Sequence, residues 1–132
     1  MTQWTWNDAW ILTATSLVHK RGGATLAEII AAADVINHEI PTAGELSLAF
    51  SRLVVCGIVE VRNDRYLLAR NRSRAVRKAL EGKGGLISYV DKCLKWLKET
   101  GLEPLPSATV TVSDSDVRAA YDSYCEFLKK RR

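Results

Sequence analysis

No stretch of the chain approaches the roughly 20 consecutive apolar residues that a bilayer-spanning helix requires, so the sequence is not expected to cross a membrane as a helix. Its first residues, Met1-Thr2-Gln3-Trp4, lack a basic segment followed by an apolar run, so no signal peptide is expected. Cysteine is scarce. Cys56, Cys93 and Cys125 are odd in number, far apart in sequence, and each lies in a helical apolar pattern where a thiol serves as a small hydrophobe. That excludes a dense disulfide framework and points to reduced thiols in the cytoplasm.

Histidine is scarcer still. His19 and His38 have no histidine, cysteine or carboxylate at zinc-ligand spacing on their own helices, so no metal site is expected. His19 falls near the end of the first helix, where a cation suits the helix dipole. No Ser-His-Asp or Cys-His set can be assembled, so no catalytic residues, no cofactor and no enzymatic activity are expected. Gly82-Lys83-Gly84-Gly85 resembles a phosphate loop only faintly. It lacks the longer glycine spacing and the Ser or Thr after the lysine, and it reads as a helix stop. There is no internal repeat and no low-complexity segment.

What is present is a chain of 132 residues with an ordinary apolar fraction of 47 %, enough for one core without metals or disulfides. The net charge of +4 is unevenly spread. Residues 1–61 set Lys20, Arg21 and Arg52 against six acids. Residues 62–83 carry Arg62, Arg65, Arg70, Arg72, Arg74, Arg77, Lys78 and Lys83 against only Asp64 and Glu81. Residues 84–132 are nearly balanced. The basicity is therefore a local block that can attract an anionic polymer, or else the solvated face of one helix.

Helical spacing of Trp6, Trp10 and Leu17 with Ile11, Ala14 and Val18 predicts a first helix over 7–20. Trp4, Trp6, Trp10 and Trp96 offer stacking surfaces, although Trp6 and Trp10 fall on the apolar side of this helix and fit core packing better. Two capping boxes, Thr25-Leu26-Ala27-Glu28 and Thr42-Ala43-Gly44-Glu45, open a second helix running to about Val35 and a third carrying Leu46, Ala49, Phe50, Leu53 and Val54. Capping also accounts for Glu28 and Glu45 better than a functional carboxylate role does. Gly57 closes the third helix. Two β-prone runs, Ile58–Arg62 and Arg65–Leu68, flank Asn63-Asp64, a two-residue hairpin loop. Ser73 is then expected to cap a short helix over Arg74–Leu80. Leu86–Thr100 forms a fifth helix with Leu86, Val90, Cys93 and Leu97 on one face. Thr109–Val112 reads as a short strand, and Ser113 to Asp116 opens a last helix with the stripe Val117, Tyr121, Tyr124 and Leu128. A basic run, Lys129 to Arg132, follows.

Helix, helix, helix, hairpin is the order of a winged helix. The segment from Leu46 through Gly57, Ile58-Val59-Glu60-Val61 and Arg65-Tyr66-Leu67-Leu68 resembles the recognition helix and wing of bacterial winged-helix regulators, and residues 7–69 carry the likeness. The resemblance implies a winged-helix domain at 1–80 and a helical extension at 86–132, packed on it or forming a homodimer interface. It also implies DNA binding in transcription regulation.

The residues suit that function unevenly. Arg62 and Arg65 flank the wing tip, and Arg70, Arg74, Arg77 and Lys78 share a face if their helix is continuous. Ser47, Ser51 and Arg52 are the groove-facing candidates of the third helix, but only Arg52 belongs to the side chains that read base edges well. The connector Asn37–Pro41 is also longer than a tight helix-turn-helix. Leu48 and Val55 on the outer face of the third helix suit a protein partner, which makes an interaction module without DNA binding the alternative.

Overall fold

The computed structural model describes residues 3–82, 84–105 and 108–130. The first helix, α1 (Trp6–Leu17), opens on a capping box. Thr5 Oγ1 accepts the Asp8 N–H, and the Asp8 carboxylate accepts the Thr5 N–H at 2.9 Å. Every residue from Asp8 to Thr15 is buried, so the expected one-sided stripe becomes a helix enclosed on all sides. Enclosure needs neighbours on all sides, and α2, α3 and α5 supply them. The two buried threonines are satisfied locally: Thr13 and Thr15 donate to the Ala9 and Ile11 carbonyls at 2.7 and 2.8 Å. Trp10 donates its indole N–H to the Ala33 carbonyl. Leu17, expected inside, is exposed.

The predicted capping boxes open α2 (Leu26–Asn37) and α3 (Ala43–Val55). At the end of α3 the Gly57 N–H donates to Val54 and the Ile58 N–H to Leu53. This pair of bonds is a Schellman closure, and it requires the positive φ of 71° that Gly57 adopts.

Strands β1 (Val59–Arg62) and β2 (Arg65–Leu68) pair antiparallel with Arg62 opposite Arg65. Asn63 and Asp64 both take positive φ, 51° and 62°, which is the two-residue turn whose twist suits a hairpin. The chain between α1 and α2 then pairs with the outer edge of β2 through a single bridge, Ala24 to Tyr66, with both bonds at 2.8 Å. Beside the bridge, a Cβ on Gly23 would lie 2.9 Å from Leu67 Cγ, so only glycine fits under the hairpin there. Tyr66 stacks on Phe50 of α3 at 4.3 Å and ties the hairpin to the core.

The next helix, α4, runs Arg70–Ala79 and begins four residues before the expected start. The Ala69 N–H still pairs with Ile58, while its carbonyl already accepts from Arg72 and Ser73. Strand therefore passes directly into helix without a side-chain cap, and Ser73 lies inside the first turn instead of capping it.

The C-terminal part folds back on this body. Val90, Cys93 and Leu97 of α5 (Leu86–Glu99) are fully buried, and α5 packs on α1. Helix α6 (Asp114–Lys130) starts with Ser113 and Asp116 exchanging cap hydrogen bonds and packs on α2. Its stripe is covered at Val117, Ala120 and Tyr124, whose hydroxyl reaches Asp34 at 3.2 Å, but Tyr121 and Leu128 remain exposed. Residues of α5, of α6 and of the segment between them, such as Leu102 and Val112, thus join the same core as the first eighty.

Thr109–Val112 forms no strand. Its backbone groups pair with two hydroxyls of α3. Ser51 Oγ donates to the Val110 carbonyl and accepts the Val110 N–H, both at 2.9 Å. Ser47 Oγ does the same with Val112 at 3.1 and 2.8 Å. The spacings match: four helical residues rise about 6.0 Å, and two extended residues about 6.6 Å. Farther back, Leu102 accepts the Trp4 indole N–H and Glu103 accepts the Cys56 thiol. Among the described residues, no helix is long and apolar enough to cross a membrane.

Candidate nucleic-acid interface

Because α4 starts at Arg70, the cations Arg70, Arg74, Arg77 and Lys78 lie on one continuous helix. At 100° per residue they span about a quarter of its circumference. All four are exposed, and among the described residues none forms an ion pair. Val76 anchors the opposite side in the core. A shallow depression of about 850 Å³ runs along this face, lined by Asn71, Ser73, Arg74, Arg77, Lys78 and Glu81. Asn71 and Ser73 add hydrogen-bonding groups that a search for charge alone does not find.

The hairpin cations are less free. Arg62 pairs with Glu60 at 2.8 Å, both well exposed. Arg65 donates to the Gly23 carbonyl at 3.2 Å. Both still flank the hairpin tip, opposite one another.

His19 lies next to this surface but adds no charge to it. It accepts the Leu68 N–H on Nδ1 at 3.3 Å. Burial, and then the nearby Arg77 guanidinium, lower its pKa from the ordinary 6.5. A favourable cationic interaction with the end of α1 is therefore replaced by a neutral imidazole acting as acceptor for a strand amide.

Ser47, Ser51 and Arg52 do not form an open reading face. The two hydroxyls are taken by Val112 and Val110, and Ser51 is only 1 % exposed. Arg52 turns inward and pairs with the fully buried Asp8 at 3.0 Å. The reason is tertiary: the extension lies over the two serines, and α1 places Asp8 within reach of Arg52. Leu48 and Val55 remain outside, each 43 % exposed.

A second groove of about 480 Å³ lies between α4 and α5, where Lys78 meets Lys92, Lys95 and Trp96. Sequence reasoning noted Trp96 but had no means of joining it to α4. Lys83 and the last two cations, Arg131 and Arg132, fall outside the described residues. No group of three or more potential metal ligands exists among the described residues.

Comparison with protein-family models, with curated proteins and with solved structures finds no match to this chain.

Proposed function

We propose that this protein binds duplex nucleic acid by its phosphate backbone, using α4 and the hairpin of a winged-helix module. Transcription regulation is the process that the winged-helix resemblance implies. One observation carries the reading: Arg70, Arg74, Arg77 and Lys78 share an exposed face without carboxylate partners among the described residues. Unpaired, exposed guanidinium and ammonium groups are what release counterions from a phosphate lattice. The element order, the Ala24–Tyr66 bridge to the hairpin and the tight Asn63-Asp64 turn are consistent with the winged-helix class. The covered side of α3 argues for contacts that position the duplex rather than read its bases.

The test is competition. A labelled mixed-sequence duplex, bound at low ionic strength, is displaced by unlabelled duplexes of unrelated sequence. Comparable displacement by all of them supports backbone binding. Strong preference for one sequence assigns base reading to a surface other than the closed side of α3.

A second reading has its own support. Leu48 and Val55 are exposed apolar side chains on α3 and suit a protein partner. A chain that binds no duplex at low salt favours that reading.

A further inference from the structure

The groove between α4 and α5 has the chemistry of a nucleotide slot. One wall is Ala75 and Ala79, a turn apart on α4, where small side chains leave space. The other is Trp96 of α5. The remaining tryptophans are internally engaged: Trp4 and Trp10 donate their indole N–H groups to Leu102 and Ala33, and Trp6 lies 5.8 Å from Trp10. Trp96 is half-buried, and among the described residues its indole has no hydrogen-bond or ring partner. The indole packs against the core and, with two methyl groups of α4, lines one open groove.

The charged groups at this slot are Lys78, Lys92 and Lys95 against Glu81 and Glu99. Lys92 donates to the Glu81 backbone carbonyl at 3.3 Å, and Lys95 lies 3.9 Å from the Glu99 carboxylate, both of that pair exposed. Three ammonium groups against two carboxylates leave one positive charge, which matches a single phosphodiester. Lys78 also belongs to the basic face of α4, so a strand held there continues directly into the slot.

We propose that this groove takes one unpaired nucleotide, its base stacked between Trp96 and the Ala75–Ala79 wall and its phosphate held by the lysines. The inference rests on the nucleic-acid reading of α4 and names the form of nucleic acid preferred: a duplex with a single-stranded extension. A stacked base contributes enough to raise affinity about tenfold.

The test compares a blunt labelled duplex with the same duplex carrying a short single-stranded thymidine overhang, by fluorescence anisotropy at low salt. The wild-type protein binds the overhang probe about tenfold more tightly. Trp96→Leu removes this preference and leaves blunt-duplex affinity unchanged. Ala79→Leu, which narrows the slot from a position that does not line the α4 depression, does the same with an unchanged circular dichroism spectrum. Equal affinity of the wild-type protein for both probes overturns the assignment but leaves α4 as a duplex surface. A preference that survives both substitutions also overturns it. Failure to bind either probe overturns the α4 reading and the slot together.

Discussion

The Ser51 hydroxyl and the Val110 backbone satisfy one another completely, O–H to carbonyl and N–H to oxygen, each at 2.9 Å. Ser47 and Val112 repeat the arrangement one turn away. A helix surface thereby serves as the partner that an extended segment ordinarily finds in a neighbouring strand. This contact closes the side of α3 on which groove contacts were expected.

Ser51→Ala removes both bonds and leaves the Val110 amide and carbonyl without their partner. The expected loss is about 1–3 kcal/mol of stability, read as a lower midpoint in urea unfolding. Ser47→Ala has a smaller effect, because Ser47 is less buried. Hydrogen exchange at the Val110 and Val112 amides accelerates in the double variant. Unchanged exchange there contradicts the role assigned to the hydroxyls.

Arg52→Ala separates a structural from a base-reading role. Its partner Asp8 is fully buried, so removal of the guanidinium strands a carboxylate in the core. Breaking such a pair costs about 3–5 kcal/mol. The variant is expected to unfold at much lower urea concentration. A variant of wild-type stability with altered sequence preference contradicts this account of Arg52.

His19 makes stability depend on pH. Its folded pKa lies below the ordinary 6.5, so the unfolded chain binds the proton more readily. Its contribution is full above the unfolded value and is lost as pH falls through the lower folded value. Protonation also removes the acceptor for the Leu68 N–H. Urea midpoints should decline on acidification through this range, and less so in His19→Gln. Identical pH profiles for the two proteins contradict the assignment.

The thiols should differ in reactivity. Burial pushes the Cys93 thiol up to about 12, despite its hydrogen bond with Thr13. Burial also raises Cys56, with smaller opposing contributions from backbone hydrogen bonding and Arg72. In the native protein at mildly alkaline pH, Cys93 is expected to resist a disulfide reagent. All three cysteines are free and should react once the chain is unfolded. Rapid native labelling of Cys93 contradicts its place in the core.

Local signals in the sequence carried most of the fold. The Thr25–Glu28 and Thr42–Glu45 boxes, Gly57 and Asn63-Asp64 each act within a few residues, and each does in the structure what its spacing predicts. The Thr5–Asp8 box acts the same way, with aspartate in the place of the more common glutamate. Ser73 differs from its expected role, since a strand that runs directly into a helix leaves it inside α4 with no cap to supply. The contacts of Ser47, Ser51 and Arg52 were not legible. They span 44 to 65 residues: those of Ser47 and Ser51 depend on the extension folding back over α3, and that of Arg52 on the packing of α1 against α3. The basic face of α4 was legible in composition, but its continuity required knowing that the helix begins at Arg70.

The salt dependence of duplex binding tests the central claim most directly. Four phosphate contacts from Arg70, Arg74, Arg77 and Lys78 give a slope of about −3.6 in log affinity against log salt concentration, and any contact from Arg62 or Arg65 steepens it. Arg74→Ala with Arg77→Ala should reduce the slope by about two while leaving the fold intact, because both side chains are exposed. An unchanged slope in the double variant, or no salt-sensitive binding of any duplex at low ionic strength, contradicts the assignment of α4 as the nucleic-acid surface.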